Sequence, residues 1–293
     1  MLSKPYRIFL IGNAFLLILL TLACLFPIVN VLAISFSSKA AVSAGQVSLW
    51  PVDFSLKSYS YVFNNENFLT SFVVSIKRVL LGVGVNMVLS ILVAYPLSKE
   101  VQDFRSRTWY AWFFVFTMLF GAGLIPGFLV VKETGIMDSV WALVLPGAIP
   151  VFNVLLIMNY MRTLPKALEE SSFMDGAGHL RTLWSVYLPL TLPSLATVAL
   201  FSLVGHWNAW FDGMVYMNRP EHYPLSTYLQ SLLKFDSMNQ TNMSLEDAKI
   251  QQFVSNRTAR ASQIFVSALP ILLIYPFFQR YFVKGLVVGS VKG

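Results

Sequence analysis

The chain has 293 residues, of which 56% are hydrophobic and only 12% are charged, and its formal net charge at pH 7 is +7. Soluble domains carry about 25% charged residues, so this composition excludes an ordinary soluble domain and favours a helical bundle in lipid. The basic excess does not indicate nucleic acid, because no dense basic stripe is interleaved with aromatic residues. Lysine and arginine near the cytoplasmic ends of membrane spans explain it. A single cysteine, Cys24, excludes an internal disulfide and a cysteine-based zinc cluster.

Apolar runs of roughly 20 residues cross a bilayer as helices, and six such runs are predicted. The first is too long for the apolar region of a cleavable signal peptide, so we expect it to remain as a span. The second contains Lys77 and Arg78, which we expect to lie near the outer interface or to extend toward it. Glycines around Pro126 indicate close packing or a break in the third span. The predicted spans cover about 9–34, 74–97, 109–131, 141–161, 189–213 and 263–283.

Basic residues in the short connections decide the predicted orientation. The N-terminal segment carries Lys4 and Arg7 without an acidic residue, and the connection 98–108 carries three basic residues against two acidic ones. We therefore expect both termini in the cytoplasm and the polar segments 35–73 and 214–262 outside. The whole chain, residues 1–293, is predicted to be one transmembrane domain.

Polar and aromatic side chains in the fourth and fifth spans are candidates for a substrate pathway. Amides and aromatic faces recognise sugars through hydrogen bonds and apolar contact. The same residues could instead anchor the outer interface or hydrogen-bond across helices, and both interpretations stay open. His206 and Asp212 are interpreted as structural rather than proton-relaying. The pathway candidates are Asn153, Asn159, Trp207, Asn208 and Trp210.

The connection between spans four and five, residues 162–188, is predicted to be a folded cytoplasmic loop. Pro165 suits the first turn of a short helix, and the pair at 175–176 (D-G) is a turn signal that ends it. A second amphipathic stretch then leads to Pro189, where span five is expected to begin. Two short helices joined by a glycine turn would form a compact protrusion suited to a groove on another protein. A simple interfacial hairpin is the alternative that these residues leave open.

The sequence of this loop resembles the signature loop of ABC importer permeases, which reads E-A-A, three residues, glycine, nine residues, I-x-L-P. Residues 170–172 (E-S-S) stand at the E-A-A positions, Gly176 has the required spacing, and residues 186–189 (V-Y-L-P) complete the pattern. The departures are serine for both alanines and valine for isoleucine. Residues 175–177 (D-G-A) match the carbohydrate-uptake branch. The C-terminal segment 279–293 resembles the ending of the maltose-type permease subunit that lacks extra N-terminal spans.

The resemblance implies an all-α polytopic protein of the bacterial inner membrane, with six transmembrane helices in the type I importer permease fold. In that family the loop sits in a cleft of a cytoplasmic ATPase subunit. The implied partners are a second permease subunit, two ATPase subunits, a solute-binding protein, a sugar and membrane lipid, with no nucleic acid. The implied coupling residues are Glu169, Glu170, Ser171, Ser172, Asp175, Gly176, Ala177 and Gly178.

The resemblance also implies that the outer segment 214–262 contacts the solute-binding protein. Its basic residues are the candidates for that contact: Lys234, Lys249, Arg257 and Arg260.

The energy source is expected to lie outside this chain. The sequence has no G-x-x-x-x-G-K-[ST] phosphate loop, so we predict no enzyme activity and no cofactor here, with ATP and magnesium bound by partner subunits. An ion-coupled secondary carrier is the alternative function, and it requires ionisable residues buried in mid-membrane. The predicted spans carry almost no charge there. The overall pattern is similar to permeases for oligosaccharides, including acidic ones such as alginate or rhamnogalacturonan fragments, and a neutral sugar stays open.

Overall fold

The computed structural model describes residues 4–238 and 257–290, with side chains described over 5–232 and 257–279. These residues form helices and turns, with no β-strand among them. A π-helical turn spans Leu183–Tyr187, and a 3-10 turn spans Pro220–His222. The α-helices are α1 (Lys4–Ser35), α2 (Lys39–Ser43), α3 (Lys57–Asn64), α4 (Glu66–Ser98), α5 (Arg107–Leu119), α6 (Leu124–Glu133), α7 (Val140–Val144), α8 (Val151–Arg162), α9 (Lys166–Met174), α10 (His179–Thr182), α11 (Leu188–Leu190), α12 (Leu192–Asn208), α13 (Phe211–Tyr216), α14 (Leu225–Met238) and α15 (Arg257–Ser290).

Three helices in the described part of the chain are long and apolar enough to cross a membrane: Pro5–Ser35, Glu66–Ser98 and Arg257–Gln279. They overlap the first, second and sixth predicted spans. The first two extend beyond the predicted bounds at both ends, and the third does so only at its N-terminal end. The predicted all-α membrane fold is therefore confirmed. Two further spans are obtained if each of two bent helix pairs counts as one span. The count of six stays a prediction.

The third predicted span contains the break that its glycines indicated. Helices α5 and α6 meet at 112° across residues 120–123. Gly123 has a φ of +83°, in the left-handed region that favours glycine. Pro126 is the third residue of α6. Amides in the first turn of a helix have no carbonyl partner within it, so the missing N–H of proline does not interrupt α6.

The fourth and fifth predicted spans are also interrupted. The irregular segment 145–150 separates α7 from α8, and it contains two prolines and a glycine. The fifth span begins later than expected: Pro189 lies inside α11, and the chain turns by 83° before α12 begins at Leu192. Backbone groups at such breaks need partners, because lipid offers none.

The chain divides into two compact units, which are described separately. One comprises Met1–Leu69 and Leu229–Pro270, and the other comprises Thr70–Tyr228 and Ile271–Gly293. In the first unit, α1 is exposed from residue 5 to residue 29, as expected for a helix that borders lipid, and its last turn is buried at Ala33 and Ser35. The Ser35 carbonyl near its C-terminal end accepts a hydrogen bond of 2.7 Å from the Ser58 hydroxyl.

The second unit has a core where the C-terminal end of α4 meets α8, the π turn and α12. Side chains at the centre of this core, such as Ala94, Ile157 and Val198, are fully buried. In lipid the hydrophobic effect does not drive helices together, because lipid tails are as apolar as the side chains. Close van der Waals packing holds the helices together instead. In the middle of α4, a Cβ added at Gly82 would collide with the His206 ring of α12. Glycine at this position therefore permits α4 and α12 to approach closely.

Candidate functional site

Helix α9 and the turn after it form the first half of the coupling loop, residues 162–188. The helix spans Lys166–Met174, so Pro165 stands directly before the helix rather than in its first turn, and Asp175 caps its C-terminal end. Gly176 has a φ of +77°, and its amide donates to the Phe173 carbonyl at 3.0 Å. A glycine in this conformation satisfies carbonyls at a helix C-terminus and reverses the chain. The predicted Asp-Gly stop is therefore confirmed.

The second half of the loop is helical from His179 to Leu190 and packs back on α9. The hydroxyls of Ser172 and Thr182 lie 2.9 Å apart in a buried contact that joins the two halves. Ser172 stands at an alanine position of the family pattern. Its hydroxyl has a buried partner in Thr182, so the substitution does not leave an unsatisfied polar group.

The coupling loop exposes several large apolar side chains and two acidic ones. Met174 is 88% exposed, Leu180 67% and Trp184 70%, and Glu170 and Asp175 are also exposed. Exposed large apolar side chains of this kind favour a protein interaction site. Among the other predicted coupling residues, Ser171, Gly176 and Gly178 are exposed, and Ala177 is half-buried.

The neighbouring Glu169 is half-buried and forms an ion pair with the buried Lys99. The Tyr187 hydroxyl donates to Glu169 Oε2 at 2.6 Å. Lys99 Nζ lies 3.9 Å from the centroid of the Tyr95 ring and 4.4 Å from that of the Tyr187 ring, which is cation–π geometry. We call Tyr95, Lys99, Glu169 and Tyr187 the lysine cluster. It joins the end of α4 to both halves of the coupling loop.

Burial and charge act against each other in this cluster. Burial opposes ionisation of Glu169, but hydrogen bonds from Lys99 and Tyr187 and the Lys99 charge outweigh it, so the pKa of Glu169 lies below its ordinary value of 4.5. Burial lowers the pKa of Lys99, although Glu169 acts in the other direction. Glu169 is therefore ionised at neutral pH and supplies the countercharge that a buried ammonium requires.

Two weaker links lie beside the cluster. Arg162 Nη2 donates to the Leu97 carbonyl at 2.8 Å and so caps the C-terminal end of α4. Lys166 and Glu100 form an exposed ion pair at 2.6 Å, a type that contributes little because water and salt screen it. A cavity of about 610 Å³ lies between the end of α4 and the coupling loop, next to Lys99 and Glu169.

A second polar centre surrounds the break between α12 and α13. The last carbonyls of a helix have no amide partner within it. The Ser226 hydroxyl donates to the Trp207 carbonyl at 2.6 Å, and the Thr227 hydroxyl donates to the Trp210 carbonyl at 2.9 Å. Side chains from the start of α14 thus satisfy backbone groups at the break.

Arg78 supplies the third capping group. Its Nη1 donates to the Ala209 carbonyl at 3.0 Å and to Asp212 Oδ1 at 3.1 Å, and its Nη2 pairs with Asp212 Oδ2. The Arg78 side chain is 2% exposed, whereas Lys77 is exposed. Arg78 is thus buried against the helix break, and its position relative to the outer interface stays a prediction. The guanidinium nitrogens Nη1 and Nη2 have a carboxylate and a carbonyl within reach, whereas Nε has no hydrogen-bond partner. We call Arg78, Ala209 and Asp212 the arginine centre.

A polar cavity of about 520 Å³ adjoins the arginine centre. Asn86 on its wall donates to the Gly147 carbonyl at 2.8 Å and to the Ala148 carbonyl at 3.0 Å. The Asn86 Oδ1 atom lies 2.7 Å from His206 Nε2. This amide therefore satisfies the irregular segment between α7 and α8 and ties it to α12. We predicted that the middle of the spans carries almost no charge. The ion pair between Arg78 and Asp212 beside this network is a charged pair that this prediction did not include.

The structure separates the predicted pathway residues. Asn153 lines the polar cavity and donates to the Ser202 hydroxyl at 3.1 Å. Trp207 is buried, with its ring 5.8 Å from Phe72 in edge geometry. The other three candidates do not line this cavity. Asn159 and Asn208 are exposed, and Trp210 is half-buried. Their role in a pathway stays a prediction.

The structure describes only some of the residues predicted to contact the solute-binding protein. Arg257 is exposed at the start of α15, and Arg260 is half-buried one turn later. Lys234 lies in α14, in a stretch where only the backbone is described. Lys249 lies outside the described residues.

Sequence reasoning missed Arg78, Asn86 and Lys99 as site residues. The available signal was the type of residue: a charged or amide side chain inside or at the edge of an apolar span is expensive and is usually paired. The partners of Arg78 and Lys99 stand far along the chain, so spacing did not indicate them.

The fold and its two polar centres define a polytopic helical membrane protein with a folded loop, residues 162–188, between two spans. The family profile described as "binding-protein-dependent transport system inner membrane component" matches residues 86–288. The chain belongs to this family.

The chain is similar to the polygalacturonan/rhamnogalacturonan transport system permease protein YtcP of Bacillus subtilis (strain 168), with 38% identity over 94% of this chain and 96% of that protein. It is 35% identical to the protein LplC of the same organism over 99% of this chain and 97% of that protein. A chain in the crystal structure of a bacterial ABC transporter involved in the import of the acidic polysaccharide alginate matches with a TM-score of 0.85 and 35% identity. That match covers 96% of this chain and 99% of the other.

These comparisons confirm the resemblance to sugar ABC importer permeases and place the chain among transport components of the inner membrane. The alternative of an ion-coupled carrier required a buried ionisable group in a span. Arg78 and Asp212 are such groups, but their hydrogen bonds go to a broken helix and to each other. The family match assigns the chain to the importer class.

Proposed function

We propose that the coupling loop, residues 162–188, docks onto a cytoplasmic ATPase subunit and receives the motion that ATP binding and hydrolysis produce there. The different environments of two adjacent glutamates carry this proposal. Glu169 is paired with Lys99 inside the chain, whereas Glu170 is exposed, as are Met174 and Trp184 of the same loop. One part of the loop is thus held by the rest of the chain, and its exposed apolar and acidic side chains are available to a groove on another protein.

The complete importer would contain this chain, a second permease subunit and two ATPase subunits that bind ATP and magnesium. A solute-binding protein would deliver the sugar at the outer face, where segment 214–262 would receive it. Closure of the ATPase subunits would move the coupling loop, and the spans would expose a central path alternately to each side. This chain would supply no cofactor site of its own.

The orientation that this function requires has both termini and the coupling loop in the cytoplasm. Basic residues near the N-terminus and in the connection 98–108 support it, because short cytoplasmic loops retain positive charge. Segments 35–73 and 214–262 would then lie outside.

The cargo would be an oligosaccharide of the acidic class, such as fragments of a uronate-containing polysaccharide. Two relatives support this choice, since one is described as a polygalacturonan/rhamnogalacturonan permease and the other belongs to an alginate importer. Both match nearly the full length of this chain at 35% identity or more.

Site-directed photo-cross-linking tests the docking. Cys24 is replaced by serine, a single cysteine is placed at Met174→Cys, and the thiol is labelled with a benzophenone maleimide in the complete importer. We expect a covalent product with the ATPase subunit, because Met174 is 88% exposed on the proposed docking surface. The control is Trp50→Cys, at a residue that is 81% exposed in the segment predicted to lie outside. A Met174→Cys product that lacks the ATPase would contradict docking.

The same two variants test the orientation. A membrane-impermeant maleimide added to intact cells should label Trp50→Cys, and it should label Met174→Cys only after the membrane is permeabilised. The reverse pattern would place the coupling loop outside and overturn the proposal.

Uptake by the complete importer with its solute-binding protein tests the cargo. We expect accumulation of galacturonate or alginate oligosaccharides in proteoliposomes supplied with internal ATP. A maltooligosaccharide of the same length serves as the neutral control. Transport of the neutral sugar with no transport of either acidic one would show that the cargo assignment is wrong.

A further inference from the structure

We infer that Lys99 is a positioning residue that fixes the coupling loop to α4, so that a displacement of α9 is carried into that membrane-spanning helix. This inference rests on the docking proposed above and adds to it the element that receives the motion. The lysine cluster is the joint between the two.

Lys99 is placed to act as such a joint. It is the first residue after α4, and its ammonium contacts side chains from three segments of the chain. Tyr95 belongs to the last turns of α4, Glu169 to α9 and Tyr187 to the π turn. A single buried charge therefore holds the end of a long helix against both halves of the coupling loop.

The joint is shielded from water, which makes it stiffer than a surface contact. The Lys99 side chain is 8% exposed and that of Glu169 is 15% exposed. The ring of Tyr95 also lies 5.2 Å from that of Tyr187 in edge geometry, so the two rings that flank the ammonium support each other. An ion pair in such surroundings is screened less by salt than an exposed pair.

A second ion pair between the end of α4 and α9 can be compared with Lys99–Glu169. Lys166 on α9 pairs with Glu100 next to Lys99, but these side chains are 55% and 53% exposed. An exposed ion pair between flexible side chains is screened by water and salt, so it contributes little to holding the two segments together. The inference therefore assigns transmission to Lys99–Glu169 and none to Lys166–Glu100, although both pairs bridge the same parts of the molecule.

Helix α4 can carry a displacement because it is continuous over 33 residues, a length of about 50 Å. The Leu97 carbonyl at its end is held by Arg162. Farther along, Asn86 and Arg78 bond to the segments beside the polar cavity and to the helix break. Motion of the lysine cluster thus has a rigid route to the part of the unit where the spans are interrupted.

The experiment compares variants in the complete importer reconstituted in proteoliposomes, with uptake and ATP hydrolysis measured together. Lys99→Met leaves Glu169 without its countercharge and with only the Tyr187 hydroxyl bonded to it, so the decisive variant is the double substitution Lys99→Met/Glu169→Gln, which removes both charges. We expect it to retain its ATPase subunits while uptake per ATP hydrolysed falls by about fivefold or more, the size of a typical coupling between sites.

Matched controls separate transmission from general damage. Lys166→Met removes the exposed bridge and should leave uptake per ATP unchanged. Lys99→Arg keeps the charge and can stack on the tyrosine rings, so it should restore most of the coupling.

The inference is overturned if the double variant, with its ATPase subunits bound, transports as much sugar per ATP as the wild type. It is equally overturned if Lys166→Met reduces coupling as strongly as the double variant does. Neither result affects the docking proposal, which stands or falls with the Met174→Cys product.

Discussion

The lysine cluster and the arginine centre each bury a cation carried on α4 or at its end, but they hold it in different ways. Arg78 directs two guanidinium nitrogens at one carboxylate and a third contact at a backbone carbonyl. Lys99 has one carboxylate and two aromatic rings around a compact charge. A planar fork fixes direction, whereas a compact ammonium accepts partners from several directions. The arginine centre therefore suits a single helix break, and the lysine cluster suits a joint at which three segments of the chain meet.

Arg78→Met should have the largest effect of the substitutions considered. It leaves Asp212 without its countercharge and the Ala209 carbonyl without its donor. Removing one partner of a buried pair costs about 3–5 kcal/mol. We expect a marked fall in the thermal unfolding midpoint of the purified protein in detergent.

The adjacent Lys77→Met provides the control, because Lys77 is exposed and should tolerate the change. Equal unfolding midpoints for the two variants would mean that the arginine centre does not stabilise the helix break.

The sequence predicted the local features of this comparison and missed the distant ones. The coupling loop was predictable because its pattern lies within about twenty residues, and its turn needs a glycine with positive φ, which is a residue-type signal. Long apolar runs likewise indicated α1, α4 and α15. The pairs Arg78–Asp212 and Lys99–Glu169 were not predictable, because each depends on how far spans are broken and tilted. Apolar periodicity carries no information on which carbonyl a break leaves unsatisfied.

Gly82→Ala tests the packing between the two centres and should have the second largest effect. A Cβ at this position would collide with the His206 ring, which is held by Asn86 at 2.7 Å. Displacing the ring breaks that bond or separates α4 from α12, and inserting a methyl group into a packed contact costs about 1–3 kcal/mol.

Gly84→Ala is a matched control on the same helix, since no atom lies within 4 Å of the added methyl group. Thermal unfolding in detergent should separate the two variants clearly. If both unfold at the same temperature, close approach of α4 and α12 is not required.

Gly176→Ala tests the geometry of the coupling loop. Its φ of +77° is unfavourable for alanine, and the expected cost is about 1–2 kcal/mol. Because the strain falls on the turn between the two halves of the loop, uptake per ATP should fall more than the unfolding midpoint of the whole chain does.

Gly178→Ala is the comparison for that result. Gly178 has a φ of −84°, and neither glycine has a neighbour within 4 Å of an added methyl group. The two variants therefore differ in backbone strain alone, and equal uptake per ATP would exclude a role for the left-handed turn.

The smallest effect concerns pH and the lysine cluster. The pKa of Glu169 in the folded protein lies below 4.5, so the ionised form is favoured by folding. The pair therefore contributes its full stability at pH values above 4.5, and that contribution is lost as the pH falls through the lower, folded-state pKa. The difference in unfolding midpoint between wild type and Glu169→Gln should be constant near neutral pH and should shrink in acid. Glu170→Gln, at an exposed residue, should show no such change. A difference that grows as the pH falls would mean that Glu169 is protonated in the native cluster, and the buried charge on Lys99 would then lack its countercharge.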